Sequence, residues 1–160
     1  MTRQTFKQRL FAKIKLPDGP DGCWVWGAAR TADGYGVIRR TDGESRLAHR
    51  AVFELYFGPI PSGRHLDHLC YTPSCVNPAH LRIATPKQNQ ENRSALQRNN
   101  RSGAQGVHWS STEGRWVARV KHEGRMHSAG RHKTLEAAES AARALRLSLF
   151  THNEKDRAHV

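Results

Sequence analysis

The chain has 160 residues, with 26 Lys and Arg against 14 Asp and Glu, a formal net charge of +12 and a pI near 10.5. That size fits one domain or two small ones, and the cationic excess points to a polyanionic partner, most simply nucleic acid. No apolar run reaches the roughly 18 residues of a membrane span, residues 1–30 lack a secretory h-region, and an odd cysteine count of 3 argues against a disulfide framework. The expected setting is therefore a reducing cytoplasm, without secretion. A 37% hydrophobic share in so short a chain means weak cores, for which a structural metal would be useful.

In chain order, residues 5–16 (TFKQRLFAKIKL) read as a short amphipathic helix, with Phe6, Leu10, Phe11 and Ile14 at helical spacing. LPDGPDG breaks it. CWVWGA and YGVIRR read as two strands of a small sheet around an Asp-Gly turn, with Trp24 and Trp26 as core. TDGESRLAHRAVFELYFG ends in a helix whose inward residues are expected to be Ala51, Val52, Leu55 and Tyr56. GPIPSG is a turn.

Residues 65–92 follow, HLDHLCYTPSCVNPAHLRIATPKQNQEN, with the spacing D-H-x-C-x4-C-x4-H-x8-N. Thiolate and imidazole suit zinc, and structural zinc sites are usually four-coordinate. Cys70, Cys75 and His80 offer three ligands, and Cys23 is the remaining cysteine. Three buried free thiols and an unrelated histidine are the alternative for such a set. His68 stands two residues before Cys70, so a metal knot would fix its backbone. A histidine near neutral pKa can deprotonate water, and the amide oxygen of Asn89 can ligate a hard cation without neutralising it.

This stretch resembles the core of the HNH, or His-Me finger (ββα-metal), endonucleases. It is most similar to those with a zinc inside the finger, as in the His-Cys box homing enzymes. The resemblance runs through GCWVWGA, GYGV, LAHRAVFELYFGPIP and CVNPAHL, over roughly residues 20 to 95. It implies His68 as general base, Cys23, Cys70, Cys75 and His80 as ligands of a structural Zn2+, and Asn89 as ligand of a catalytic Mg2+ or Mn2+. Asp67 matches a second metal ligand of phage-type members, although neighbouring residues of an ideal strand face opposite sides. His80 stands where many members have an asparagine, and Asn77 reads as a turn residue before Pro78. Arg50, beside His49, is a phosphate-contact candidate or a surface arginine. The implied activity is one-metal hydrolysis of DNA phosphodiesters by a phage- or intron-associated homing endonuclease, leaving 5′-phosphate and 3′-hydroxyl ends. A non-catalytic zinc-finger DNA-binding or regulatory protein is the alternative, and an RNA nuclease is a further one.

Residues 96–104 are polar and basic and read as a linker after a first domain of residues 1–95. GVHWSS, RWVARVKH and GRMHSAGR then read as three strands, and TLEAAESAARALRLSLF as a helix capped by Thr134. Leu135, Ala138, Ala142, Leu145 and Leu149 form its stripe. Trp116, Ala118 and Val120 should face that helix, leaving Arg115, Arg119 and Lys121 outward. Residues 101–133 hold seven Lys and Arg and two Asp and Glu, net +5. A basic, helix-backed sheet can enter a major groove. Residues 105–152 resemble the ethylene-response-factor-like (APETALA-type) DNA-binding domain. That resemblance is weaker in the third strand, and it implies double-stranded DNA as partner. Arg115, Arg119, Lys121 and Arg125 are then the phosphate contacts. The expected fold class is α+β: a zinc-bound ββα-metal finger domain, then a three-stranded antiparallel sheet on one helix. Residues 153–160 read as a fraying tail. A homodimer is one arrangement that would cut both strands.

Overall fold

In a computed structural model of the chain, the described residues are 4–40, 42–93, 96 and 98–158. They divide into two compact units, Met1–Asn89 and Gln90–Val160. The division falls ahead of the expected boundary at residue 95.

In the first unit, helix α1 (Phe6–Phe11) starts with a capping box. The Gln8 N–H donates to Thr5 Oγ1 at 3.2 Å, and the Thr5 N–H donates to Gln8 Oε1 at 2.9 Å. The helix expected to reach residue 16 stops at Phe11, because Ile14–Lys15 (β1) pairs antiparallel with Val25–Trp26 (β2). β1 thus uses for a ladder the backbone groups that would have continued the helix. β3 (Val37–Arg39) pairs with β4 (Ser45–Leu47), so CWVWGA and YGVIRR belong to separate two-stranded ladders and not to one sheet. An isolated bridge, Arg30 to Gly36, closes the Asp33-Gly34 turn between them. Gly36 is obligatory there, since a Cβ would lie 2.5 Å from the Trp26 ring.

Helix α2 (Ala48–Phe57) buries Ala48, His49, Ala51, Val52 and Phe53. Val52, Ala48 and Ala51 join Leu10, Trp26, Ile38 and Val76 in the main core. Leu55 and Tyr56, expected inward, are 46% and 51% exposed. Their angular phase is right, but the last turn of α2 carries them past what the core can cover. β5 (His65–His68) pairs antiparallel with β6 (Leu81–Ala84), a 3-10 turn at Pro78–His80 leads into β6, and α3 (Pro86–Glu91) follows. Thr85 and Gln88 cap α3 reciprocally, at 2.8 and 3.2 Å.

In the second unit, β7 (Val107–Ser110), β8 (Arg115–His122) and β9 (Arg125–His132) form one antiparallel sheet in chain order. Glu123 and Gly124, both at positive φ, make the turn between β8 and β9. Helix α4 (Leu135–Leu149) is capped by Thr134, whose hydroxyl accepts the Ala137 N–H at 3.2 Å. Ala138 and Ala142 pack with Ala104, Val107 and Ala118, and Trp116 and Leu135 flank them. Val117 is buried although alternation puts it on the outward side. A break in the β8–β9 register falls beside it, between Val117 and Arg119.

Two segments read as unstructured are built in. In the expected linker, the Asn100 amide donates to the Ala104 carbonyl at 2.9 Å and the Ser102 hydroxyl to the Val107 carbonyl at 2.7 Å. Gln97 lies outside the described residues. In the expected tail, Glu154–Arg157 is a helical turn, α5, which buries Asp156. His159 and Val160 lie outside the described residues. Arg146 of α4 donates to both Asp156 carboxylate oxygens, at 2.6 and 3.0 Å, and to the Gln105 carbonyl at 2.7 Å. Burial alone would raise the Asp156 carboxyl; the bonds from Arg146 and Asn153 hold it below its usual value. Among the described residues no helix is long and apolar enough to cross a membrane.

Candidate functional site

Two backbone bonds bring distant parts of the first unit together. The Trp26 N–H donates to the Ser74 carbonyl at 2.9 Å, and the Val76 N–H donates to the Trp24 carbonyl at 2.8 Å. The Asn77 amide adds a bond to the Gly22 carbonyl at 2.9 Å. Cys23 is thereby laid beside Cys75. After β5 the chain reverses through Tyr71 at positive φ, with the Leu69 N–H on the His80 carbonyl at 2.9 Å. This turn carries Cys70 to the same place.

The ligand atoms of Cys23, Cys70, Cys75 and His80 all lie within 4.8 Å of one another. His80 Nδ1 is 3.6 Å from the sulfurs of both Cys23 and Cys75. Zn–S bonds of about 2.3 Å and Zn–N bonds of about 2.0–2.1 Å at the tetrahedral angle require an S to N edge of about 3.6 Å. The donor set and its spacing therefore fit zinc. One thiol of the set leans toward thiolate: the Cys75 thiol beside it pushes Cys70 down to about 4, and Cys70 in turn holds Cys75 in the thiol form, well above the usual thiol range. The Asn77 N–H also reaches the Cys75 sulfur at 3.4 Å.

His68 ends β5 and is buried. Its Nε2 lies 3.0 Å from the Cys75 carbonyl oxygen. A carbonyl can only accept, so Nε2 carries the proton and Nδ1 the lone pair of the neutral ring. Burial lowers the His68 pKa, against the opposing pull of the Cys75 carbonyl, Cys70 and Asp67. The same cysteine thus offers its sulfur to the metal cluster and its carbonyl to His68.

His49 is the residue that sequence reasoning passed over. The resemblance pairs it with Arg50 but gives it no role of its own. It is 4% exposed, and its ring centroid lies 4.9 Å from that of His68. Tyr35 completes the group, 5.4 Å from His49 and 5.8 Å from His68. Burial first, then His68 and Arg50, push the His49 pKa down to about 3. Its Nδ1 is buried without a hydrogen-bond partner among the described residues. The available signal was helical: His49 and Phe53 share the inward stripe of α2 at i, i+4.

The remaining candidates are held by separate partners. Asp67 is buried opposite Arg82 in the β5–β6 register, and Arg82 meets its Oδ2 through Nε at 2.9 Å and Nη2 at 2.8 Å. Asn89, half-buried on α3, has its Nδ2 3.4 Å from His65 Nδ1 at the opposite end of β5. Arg50 is half-buried on α2. In the second unit Arg115, Arg119, Lys121 and Arg125 are all exposed, on β8 and β9.

Residues 46–91 match the HNH endonuclease family. The chain is 35% identical over 71 residues to Protein 7.7 of Escherichia phage T7, covering 44% of this chain and 54% of that protein. It is 33% identical over 84 residues to Protein 2.8 of the same phage, covering 52% and 55%. The chain thus spans about half the length of these two curated relatives. The uncharacterized gene 5.3 protein of Enterobacteria phage T3 is 36% identical over 76 residues, covering 44% of this chain and 75% of that protein. No solved structure matches. The chain belongs to the family of that phage T3 gene 5.3 protein, and within it residues 46–91 match the HNH endonuclease family.

Proposed function

We propose that the chain is a metal-dependent endonuclease that hydrolyses phosphodiester bonds of double-stranded DNA. The observation that carries this reading is the bond from His68 Nε2 to the Cys75 carbonyl. It leaves the lone pair on Nδ1, and burial keeps the ring neutral. That is the state a general base needs near neutral pH. The Cys23, Cys70, Cys75 and His80 cluster holds a structural zinc and so fixes the strand end that carries His68.

In the reaction, His68 takes a proton from water at Nδ1. The hydroxide attacks phosphorus in line with the 3′ oxygen, which departs and takes a proton from solvent. The ends produced are 5′-phosphate and 3′-hydroxyl. Asn89 is the ligand for a catalytic Mg2+ or Mn2+, and Asp67, whose Oδ2 is already engaged by Arg82, is the second candidate ligand. When bound, such a cation supplies positive charge to the phosphate and the leaving oxygen. Arg50 binds a neighbouring phosphate. The second unit, with its resemblance to ethylene-response-factor-like domains, holds duplex DNA through Arg115, Arg119, Lys121 and Arg125. The natural setting is a phage- or intron-associated homing endonuclease acting in the host cytoplasm.

The test is cleavage of supercoiled plasmids with Mg2+ by the wild type and His68→Ala side by side. Cutting by the wild type alone supports the enzyme and the base. Zinc-loaded, DNA-binding protein that never cuts favours the architectural reading, to which the occupied Asp67 carboxylate also lends weight.

A further inference from the structure

The second unit contains a cleft of about 590 Å³ that the nuclease reading does not use. Trp109, Trp116, Arg101, Arg119, His108 and Met126 are among its lining residues. Trp109 is 50% exposed and Met126 is 60% exposed. Half-exposed tryptophan on a strand is costly to keep in water, and its position is fixed. Trp109 is directly opposite Trp116 in the β7–β8 register, and the two rings meet edge-on with centroids 5.2 Å apart. The floor is backbone: Gly106 sits at positive φ, and a Cβ there would lie 2.6 Å from the Arg119 carbonyl oxygen.

The arginines that line the cleft lack acidic partners among the described residues. Elsewhere in this unit Arg131 pairs with Glu113, Arg146 with Asp156 and Arg157 with Glu154. Arg101 and Arg119 at the cleft, Arg115 and Lys121 of β8, and Arg125 of β9 are in no ion pair among the described residues. An anchored indole in a concavity that two arginines also line complements a ligand with a flat π face and an adjacent anion. A nucleotide has both. A stacked base pair inside a duplex offers its edges and not its face.

We infer that this cleft is a binding site for an unpaired nucleotide, whose base stacks on Trp109 while its phosphate meets Arg119 and Arg101. The second unit then grips single-stranded nucleic acid, or a nucleotide displaced from a duplex, in addition to any contact with duplex DNA. Stacking tolerates every base, so the site recognises strandedness and not sequence. This does not rest on the first unit cutting DNA.

The test is equilibrium binding to the full chain, zinc-supplied and without added Mg2+. The probes are a fluorescein-labelled mixed-sequence single strand of DNA, the matching duplex, and a strand of equal length with abasic residues in place of bases. The wild type should bind the base-bearing strand about 5- to 100-fold more tightly than the abasic one. Trp109→Ala should abolish that ratio and leave duplex affinity within about twofold, while Trp109→Phe should keep most of it. Arg119→Gln should weaken both strands and reduce the salt dependence of binding by about one counterion. Equal wild-type affinity for the base-bearing and abasic strands overturns the inference whatever the variants do. So does a Trp109→Ala loss that is as large for duplex as for single strand, or Trp109-dependent binding of polyglutamate as tight as that of DNA.

Discussion

The backbone N–H of Val76 donates to the carbonyl of Trp24 at 2.8 Å, and this one bond joins segments 52 positions apart in the chain. It sits one residue beyond Cys23 on one side and one residue beyond Cys75 on the other. The cysteine far upstream is thereby a neighbour of the others before any ion arrives.

Such a partly assembled site predicts graded behaviour on ligand loss. Cys70→Ser and Cys75→Ser should each lower zinc content from one equivalent to near zero and collapse the first unit's melting transition. Cys23→Ser removes only the ligand from the distant segment and leaves Cys70, Cys75 and His80, which lie close together in the chain. It should therefore retain zinc at an affinity about 10- to 100-fold weaker. Zinc stoichiometry and thermal melting with and without a chelator read both effects, and an unchanged melt for Cys70→Ser would rule out a structural metal here.

The His49 and His68 pair predicts a pH dependence of stability. The His49 pKa drops from the ordinary 6.5 to about 3 on folding. Below pH 6.5 the unfolded chain takes up a proton that the folded chain refuses. Stability from this group is therefore complete above about pH 6.5 and falls as pH drops toward 3, by at most about 1.4 kcal/mol per pH unit. In His49→Gln that component is gone, so its stability between pH 7 and pH 5 should fall less steeply than the wild type's. Denaturant melts at three or four pH values measure the two slopes. Parallel slopes would mean that His49 takes up its proton alike in the folded and the unfolded chain.

How much of this was legible beforehand follows from the range of each interaction. Cys70, Cys75 and His80 lie within eleven residues, so their spacing speaks directly; Cys23 entered only as the remaining cysteine. The three strands and the helix of the second unit carry clear periodicity and a Glu-Gly turn. What the sequence does not print is register. Nothing along the chain says that Arg82 stands opposite Asp67, which changes Asp67 from a bare carboxylate into half of a buried ion pair. Nor does it say that the rings of His49 and His68, on a helix and a strand, meet at 4.9 Å. Arg146 and Asp156 look like a helix-surface arginine and a tail aspartate, and only the chain reversal at Phe150 to Asn153 joins them. Leu55 and Tyr56 fail for the opposite reason: their helical phase is correct and the core ends too soon.

Asn89 offers a separation of the two metal roles. It is distant in kind from the thiolate cluster, with its amide beside His65. Asn89→Ala should keep one zinc and an unchanged melt but lose Mg2+-dependent cleavage by about a hundredfold or more, the scale of one lost contact to a catalytic cation. Loss of zinc in that variant would show that the two sites had been confused. Asp67→Asn should do more damage to folding than Asn89→Ala, because it leaves the Arg82 guanidinium without its anion.

The Arg146 and Asp156 pair makes the turn at Glu154–Arg157 a structural part of the second unit. Both side chains are nearly fully buried, and Arg146 Nη1 donates to the Gln105 carbonyl, at the entry to β7. Removing one member leaves the other charge buried, which typically costs about 3–5 kcal/mol. Asp156→Ala should therefore destabilise the second unit severely, and a chain ending at residue 152 should do the same. Arg146→Met with Asp156→Leu removes both charges and replaces them with apolar groups, so it should recover much of the loss. Denaturant unfolding of the two single variants and the double one forms the cycle. A single variant within about 0.5 kcal/mol of wild type would show that the C-terminal turn contributes nothing to the fold.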